Sequence, residues 1–444
     1  MSLSSVNLLY TINFLLILFN FQNFSESFLV RIATPLILLI SAIVSLGYLE
    51  RNNYRINLKK NFLYLVVILF FLTGLLRHNH PEATLNYSIL LVISYSSFIL
   101  LSYNTILENC RDGLIVNEII YKLLLFPFAI FAAINVLFFY LNISFSGGGH
   151  DISIGNAVLL ANFGIFTPRI KFAFADGINS FAMGISLMFY ISLFSAFFFS
   201  YKRLFSIFSL FIFFIILLYT DSRSAIVYPI LILILIFILN YFKKYLSIFY
   251  CVPFFYIFSP FLMVFLLTTI AYLGIGEDIS RSDTEGETGN GRFIMWAISL
   301  YEFIDFKLHH IFGYGIFGHY KSGASENWAI IFPSYKNPDI IHPHNSMISM
   351  LFDYGYFGVL FYFLFLLNLV KKLINFAKKY FVGSLYLLSF LLLVIFLGMS
   401  ETIFSSYYGS IMYILLFVFT LISIIVNFEK TINIVFLPTT KKRK

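Results

Sequence analysis

Runs of apolar residues alternate with short polar segments along the chain. Twelve such runs can be distinguished, at 6–21, 28–48, 62–76, 87–106, 123–141, 179–200, 204–219, 224–242, 246–273, 355–370, 382–399 and 407–426. A helix of about 20 mainly apolar residues crosses a bilayer, and most of the runs approach that length. The pattern therefore predicts an all-α polytopic membrane protein with about 12 transmembrane helices.

Two of the polar connections are long. Residues 142–178 join the fifth and sixth runs, and residues 274–354 join the ninth and tenth. The second is large enough to form a small helical subdomain outside the membrane, and a loop of this length is usually functional. The predicted organisation is transmembrane helices one to nine in 1–273, the loop subdomain in 274–354, helices ten to twelve in 355–426 and a basic tail in 427–444.

Basic residues are concentrated on alternate connections. Most of the 29 lysines and arginines follow even-numbered runs, as in Lys202-Arg203, Lys243-Lys244 and the C-terminal tail. Positively charged connections stay on the cytoplasmic side of a membrane. The sequence therefore predicts that both termini are cytoplasmic, that the number of spans is even and that the two long loops face outward.

The outward connections have a different chemistry. They hold all eight histidines, which are His78, His80, His150, His309, His310, His319, His342 and His344. They also hold six arginines, which are Arg31, Arg77, Arg169, Arg223, Arg281 and Arg292. Guanidinium groups bind anions as planar forks, and imidazoles transfer protons near neutral pH. This side is the candidate for an anion-binding and acid–base site, with chance scatter as the alternative.

Composition and charge exclude several classes of protein. The chain is 60% hydrophobic and 11% charged, whereas a soluble domain is about half apolar and a quarter charged. The net charge of +8 does not indicate a nucleic-acid partner, because the cations follow the membrane topology. Cys110 and Cys251 are too few for a disulfide framework or a metal cluster, and we expect the first run to be a retained span.

The sequence around two histidines has the features of a helix start. Pro343 holds His342 in an extended conformation, and Asn345 or Ser346 can cap a following helix. His344 then lies at the helix N-terminus, where the dipole disfavours the protonated ring, and a neutral imidazole can act as a general base. The alternative is a surface histidine beside a cap.

Arg292 is predicted to lie in the first turn of another helix. Apolar residues recur there with helical spacing, and Asn290 can cap it. A cation is unfavourable in the first turn, by about 0.3–1 kcal/mol, so a nearby anion would explain the arginine. The alternative is pairing with Glu285 or Glu287.

Two further arginines stand beside candidate helix starts. Arg223 follows Asp221 in a tight polar turn between two apolar runs, and ionisable residues at the membrane boundary are functional candidates. The alternative is a snorkelling arginine that pairs with Asp221. Arg169, before Asn179, is a weaker candidate.

Four motifs in this order carry a family resemblance. They are Ser222-Arg223-Ser224, Gly291-Arg292 with Trp296, Gly313-Tyr314-Gly315, and His342-Pro343-His344-Asn345 followed by a helix reaching Gly355. Over about 160–410 the chain resembles the O-antigen polymerase and ligase family of lipid-linked glycosyltransferases. Arg169 with Asn179 is similar to an element found mainly in the polymerases, and Glu401 is similar to a recurrent acid.

The resemblance implies a metal-independent glycosyl transfer at the periplasmic face of the bacterial inner membrane. The donor would be a glycan on undecaprenyl pyrophosphate, and no cofactor or metal is expected. The implied base is His344, and the implied pyrophosphate-binding residues are Arg223, Arg292 and Arg169. The implied supporting residues are His342, Asn345, Asn290, Asp221 and Glu401.

Three functions compete on the sequence alone. The first is polymerisation of lipid-linked O-antigen repeat units, and the second is ligation of the glycan to lipid A-core. The third is a transporter or flippase of the same glycan, against which stands the lack of an internal repeat or paired interrupted helices. The implied partners are the lipid-linked oligosaccharide, membrane lipid, and chain-length regulator and flippase proteins.

Overall fold

The architecture is that of a computed structural model of the chain. It describes residues 5–20, 28–50, 62–81, 84–111, 116–143, 152–161, 164–175, 177–273, 292–330, 340–403 and 409–428. Helices dominate these residues, and every apolar run of the sequence contains at least one helix.

The helices of the first half lie close to the predicted positions, except for the short α6, which lies in the connection 142–178. They are α1 (Ser5–Asn20), α2 (Phe28–Glu50), α3 (Phe62–Leu76), α4 (Leu85–Arg111), α5 (Val116–Tyr140), α6 (Val158–Ala161), α7 (Ile178–Phe198), α8 (Arg203–Thr220) and α9 (Arg223–Tyr241). Helix α5 contains one π-helical segment, Tyr121–Leu125.

The second half begins with a 3₁₀ segment, Lys243–Cys251. The helices that follow are α10 (Val252–Ile257), α11 (Ser259–Tyr272), α12 (Arg292–Glu302), α13 (His309–Phe312), α14 (Gly318–Lys321), α15 (Glu326–Ala329), α16 (Ser346–Ala377), α17 (Phe381–Ser400) and α18 (Gly409–Phe428).

Within the described residues, seven helices are long and apolar enough to cross a membrane. The segments Lys243–Ile257 and Ser259–Leu266 pass the same test together but are bent by 84°. Four shorter apolar helices, Ser5–Phe19, Ile32–Gly47, Tyr64–Leu76 and Ile411–Val426, occupy the remaining predicted positions. The all-α polytopic fold is thus confirmed, while a count of 12 spans stays a prediction.

The first long connection contains a small sheet that the hydropathy pattern did not predict. Strand β1 (Ile152–Asn156) pairs antiparallel with β2 (Pro168–Ile170). Two strands of five and three residues are too short for an alternating pattern to stand out. The second long connection holds helices α12 to α15, and its residues 274–291 and 331–339 lie outside the described residues. The predicted domain boundaries are not tested by these elements.

The centre of the bundle is formed by α7 and α17, each 83% buried over its apolar window. Hydroxyl and amide groups join the helices there, since polar side chains within a membrane must find partners in the protein. The Tyr190 hydroxyl is hydrogen-bonded to Ser389 between these two helices. A second seam joins α1 and α4, where Asn7 and Asn109 exchange amide hydrogen bonds of 3.1 and 2.6 Å.

Helix α16 is interrupted at Gly355, which has φ 68° and ψ −167°. A Cβ at this position would collide with the backbone of residues 310–313. The segment that contains α13 and α14 is hydrogen-bonded to residues near this interruption and to Arg77. Asp353 accepts a hydrogen bond from the backbone N–H of Gly318 (3.0 Å), and Arg77 donates to the carbonyl of Gly313 (3.0 Å). The interruption therefore positions α13 and α14 over the start of α16.

The helix bundle has two chemically distinct ends. At the lysine end, Nζ of Lys243 lies 5.1 Å from the centre of the Phe381 ring, next to the connection that carries Lys378. At the arginine end lie the N-termini of α9 and α16 and the C-terminus of α17. The two ends are separated by the length of α16, which has 32 residues. A helix rises about 1.5 Å per residue, so this length is about 48 Å at most.

Candidate active site

The start of α16 is held in place by the amide of Asn345. Its Oδ1 accepts hydrogen bonds from the backbone N–H groups of Met347 (3.0 Å) and Ile348 (3.1 Å), and its Nδ2 donates to the carbonyl of Met399 (3.0 Å). Asn345 is therefore the cap that the sequence predicts, and it also binds α16 to α17. The preceding residue, His344, is fixed at the N-terminus of α16 in a left-handed conformation, with a φ of 47°.

The carboxylate of Glu401 joins two of the predicted site residues. Its Oε1 lies 2.7 Å from Nη2 of Arg292, and its Oε2 lies 2.7 Å from Nδ1 of His344. Arg292 also donates from Nη1 to the carbonyl of Ser400 (2.9 Å). The side chain of Glu401 is 2% exposed, whereas those of His344 and Arg292 are 20% and 21% exposed. Glu401 thus forms the floor of the site, and the two basic groups form its accessible surface.

The ionisation of Glu401 determines which nitrogen of His344 carries the hydrogen. Burial raises the pKa of the Glu401 carboxyl, but the charges of His344 and Arg292 outweigh burial and lower this pKa to about 2. A carboxylate only accepts hydrogen bonds. In the contact of 2.7 Å between the two side chains, Nδ1 of His344 must therefore be the donor. In the neutral imidazole Nε2 is then the acceptor, which is the tautomer that a general base needs.

His342 is close to His344 but has a different environment. The two ring centres are 4.3 Å apart. Nδ1 of His342 lies 3.2 Å from the Thr402 hydroxyl and accepts a hydrogen bond from the backbone N–H of His344 (3.4 Å). Burial, followed by the charge of His344, lowers the pKa of His342 well below its usual value. His342 is therefore a neutral hydrogen-bonding group next to the candidate base.

Arg292 is the first residue of α12, as the sequence predicts. The anion that offsets its unfavourable position at a helix N-terminus is Glu401, at 2.7 Å. Helix α12 is also fastened to the histidine segment, because Nε1 of Trp296 donates to the carbonyl of Pro343 (2.7 Å). The predicted cap and the alternative acidic partners lie outside the described residues; they are Asn290, Glu285 and Glu287.

Arg223 is the first residue of α9, also as predicted. Its Nη2 lies 3.8 Å from Oδ2 of the buried Asp221. This distance allows Coulomb attraction but is too long for a hydrogen bond. Oδ1 of Asp221 accepts a hydrogen bond from the backbone N–H of Leu159 (3.1 Å). Arg223 therefore pairs with Asp221 through charge, as the alternative interpretation of the sequence predicted. Its side chain is still 23% exposed.

Arg169 supports the turn between α8 and α9. It is 8% exposed, its Nε donates to the carbonyl of Thr220 (3.0 Å), and its Nη2 donates to Oδ1 of Asn179 (2.7 Å). These bonds connect strand β2 to the turn that precedes Arg223. They give Arg169 a positioning role, and its direct contact with a ligand stays a prediction.

Helix α9 reaches the Glu401 segment through Tyr228. The hydroxyl of Tyr228 lies close to the side chain of Ser400 and to Arg292. Tyr228 follows Arg223 by five residues, or about 7.5 Å along the helix. The structure therefore brings the three candidate residues Arg223, Arg292 and His344 to the same end of the bundle.

Sequence reasoning missed several polar residues of this site. Tyr228 lies within an apolar run and is one of 30 tyrosines. Ser400 contributes a backbone carbonyl, and backbone groups leave no signal in a sequence. Thr402 is next to Glu401, and this short polar interruption after an apolar run was the one available sign.

The described residues thus define a polytopic helical membrane protein with an arginine–carboxylate–histidine site at one end of its bundle. Residues 208–363 match the model of a protein family described as O-antigen ligase. The match includes Arg223, Arg292 and His344 and confirms the resemblance to the O-antigen polymerase and ligase family, which is a family of glycosyltransferase-like enzymes. Arg169 and Glu401 lie outside it. No curated protein matches the chain.

We predict that Glu401→Gln lowers the Tm of the purified protein at pH 7, since Arg292 and His344 lose their ionised partner. The Glu401 pKa falls from 4.5 to about 2 on folding, which corresponds to at most about 3 kcal/mol of stability. A lowered carboxyl pKa stabilises the fold above pH 4.5, and this stabilisation is lost as the pH falls towards 2. The wild-type Tm should therefore fall more steeply than that of the variant across this window.

The matched control is Glu326→Gln, which removes an exposed carboxylate from α15. Exposed charges contribute about 0–1 kcal/mol, so this variant should melt near the wild-type temperature at pH 7. Equal Tm values for the two variants would contradict a stabilising role of Glu401.

Proposed function

We propose that the protein is an O-antigen polymerase, which joins oligosaccharide repeat units carried on undecaprenyl pyrophosphate. The observation that carries the proposal is the carboxylate of Glu401, which holds a guanidinium and an imidazole at 2.7 Å each. This arrangement pairs an anion-binding group with a general base, the two functions that glycosyl transfer from a pyrophosphate donor requires.

In the proposed reaction, Nε2 of His344 takes the proton of an acceptor sugar hydroxyl. The hydroxyl oxygen forms a bond to the anomeric carbon of the donor sugar, and the bond between that carbon and the pyrophosphate oxygen breaks. The leaving pyrophosphate keeps the electron pair. Glu401 stabilises the imidazolium that forms through the hydrogen bond from Nδ1. Protons and electrons balance without a metal or a cofactor.

Arg292 and Arg223 are proposed to bind the leaving pyrophosphate. A guanidinium has five N–H donors, and Arg292 uses two of them on Ser400 and Glu401. Both side chains are partly exposed, so further donors can reach an anion. Charge that develops on a leaving group is stabilised most by donors fixed in place before the reaction, and Glu401 fixes Arg292 in this way. Arg169 is proposed to act through the turn that carries Arg223.

The reaction is proposed to take place at the periplasmic face of the bacterial inner membrane. The lysine end of the bundle fits the cytoplasmic side, since positively charged connections remain there. The arginine end, with the candidate site, would then face the periplasm, where a lipid-linked donor supplies its own driving force. Chain-length regulator and flippase proteins are proposed as partners on the family resemblance.

Ligation of the glycan to lipid A-core is the second candidate function, favoured by the description of the matching family model. The two activities share a donor and differ in their acceptor. A purified polymerase should lengthen lipid-linked repeat units without another acceptor, whereas a ligase should consume them only when lipid A-core is added.

The first test concerns the base. In the assay with lipid-linked repeat units, His344→Gln should lower the rate by about 10²–10⁴-fold, the usual contribution of a general base. An amide can keep a hydrogen bond to Glu401 but cannot take up the proton. His342→Gln should keep measurable activity, because we propose that His342 only orients the acceptor. The length of the glycan chains on a gel measures the polymerisation activity of both variants.

A measurement of donor binding distinguishes a loss of catalysis from a loss of folding in this test. His344→Gln should bind the lipid-linked donor with wild-type affinity. A near wild-type polymerisation rate in His344→Gln would mean that the residue only positions the acceptor and that no base acts on the hydroxyl.

The second test concerns the arginine fork. Arg292→Lys should be almost as harmful as Arg292→Ala, because an ammonium cannot hold Ser400 and Glu401 and still present a planar pair of donors. Loss of one preorganised donor typically lowers kcat by about 10²–10³-fold, so a decrease of that order is expected. The control is Arg203→Lys, which changes an exposed arginine at a helix start at the lysine end. Full activity in Arg292→Lys would mean that a point charge suffices.

The third test concerns the orientation. In a Cys251→Ser background, which removes the exposed native cysteine, Lys321→Cys should react with a membrane-impermeant maleimide in intact spheroplasts. Lys378→Cys should react only after the membrane is permeabilised. Both lysines are exposed, so accessibility is matched. The reverse pattern would overturn the proposed topology.

A further inference from the structure

A second set of rings continues from His342 towards the connection between α3 and α4. The ring centres of Phe317 and His319 are 5.7 Å apart, and those of Phe317 and His80 are 4.7 Å apart. His319 is 1% exposed, and its Nε2 lies 3.4 Å from the carbonyl oxygen of Ile340, two residues before His342. We call this set the ring track; its members are His78, His80, Phe317, His319 and His342.

Phe317 occupies the ring track in an unfavourable backbone conformation. Its φ is 61°, in the left-handed region that suits glycine and is rare for a bulky residue. The preceding residue, Ile316, is held in place by Asn79. The backbone N–H and the Nδ2 of Asn79 both donate to the carbonyl of Ile316, at 2.9 and 3.0 Å. Non-glycine residues in this region are strained and concentrate at functional sites. The fold thus maintains a half-buried aromatic ring at a position where glycine would be relaxed.

Burial disfavours the protonated form of three histidines of the ring track. Burial, followed by the charge of His80, lowers the pKa of His78 to about 4, and burial lowers that of His319 to about 4. The pKa of His342 is lowered in the same direction. The track therefore differs from the Arg292 side of the site, and it suits an uncharged ligand better than a phosphate.

We propose that the half-buried rings of the track, those of His78, His80, Phe317 and His342, bind the acceptor glycan as a neutral oligosaccharide whose terminal hydroxyl reaches His344. The C–H faces of sugar rings pack on aromatic rings, and imidazole nitrogens donate to or accept from sugar hydroxyls. The track begins at His342, whose ring centre lies 4.3 Å from that of the candidate base His344. Arg292, which suits the donor pyrophosphate, is bonded to the other oxygen of Glu401. This inference rests on the proposed glycosyl transfer and adds the acceptor subsite to it.

The test compares two track variants with a matched control in the purified full-length protein. Phe317→Asn removes the ring but keeps a residue that tolerates the left-handed region, and His80→Ala removes a half-buried ring from the α3–α4 connection. The control is His309→Ala, which removes an exposed histidine stacked on Tyr314 in the same subdomain, outside the track. Similar Tm values for the variants and the wild type would establish that they fold.

The acceptor is an alkyl glycoside of one repeat unit, which can accept a glycan but cannot donate one. Phe317→Asn and His80→Ala should each raise its KM by roughly three- to tenfold, the loss expected for one ring contact. The KM of the lipid-linked donor should not change, and His309→Ala should resemble the wild type. If only the donor KM rises, or if neither changes, the proposed subsite is wrong.

A binding measurement separates this inference from the proposed function. Saturation-transfer NMR with the free repeat oligosaccharide should give signals with the wild type and His309→Ala and weaker signals with both track variants. If the wild type transfers no glycan in any assay, the proposed function fails, while unchanged NMR signals in the track variants would refute the subsite alone. If Phe317→Asn does not fold, the acceptor KM and the NMR signals are measured with His80→Ala alone.

Discussion

A single buried carboxylate connects the parts of this site. Glu401 lies at the end of α17 and bonds the first residue of α12 and the residue before the cap of α16. A buried carboxylate is costly unless cations and hydrogen bonds compensate it. The two partners supply this compensation, so the position of each depends on the others. The polar segment after α17 is also fixed to α16, because Ser346 donates to the carbonyl of Glu401 (3.0 Å) and accepts from the backbone N–H of Ile403 (3.0 Å).

The groups around Glu401 divide the site by charge. Arg292 and Arg223 provide positive charge on partly exposed side chains. Burial lowers the pKa values of His78, His319 and His342, because it removes the stabilisation that water gives to an imidazolium. The proposed reaction, with a polyanionic leaving group and an uncharged acceptor sugar, would use these two different environments. The separation follows from the positions of the residues along the chain, since the arginines begin helices and the histidines lie in connections packed over α16.

The sequence predicted the helical elements and many of the polar residues at the arginine end. Apolar runs are long in this chain, and their lengths were enough to find the helices. The tight turn at Asp221 and the cap at Asn345 followed from local chemistry, since both depend on residues within three positions. The partners of Glu401 and the strained Phe317 could not be predicted in the same way. They depend on contacts between residues 57 to more than 100 positions apart and on backbone angles that a residue type does not specify.

Two groups of the fold act on the imidazole of the candidate base. The dipole of α16 was the sequence-based reason to expect a neutral ring at His344. The structure adds the carboxylate of Glu401, which accepts a hydrogen bond from Nδ1. The lowered pKa of Glu401 means that the carboxylate is a weak base and does not take the proton itself. A proton accepted from a sugar hydroxyl would therefore remain on the imidazole, which is 20% exposed and can release it to water before the next cycle. Without the carboxylate, the ring would have neither a fixed tautomer nor support for the charge that it acquires in the proposed transfer.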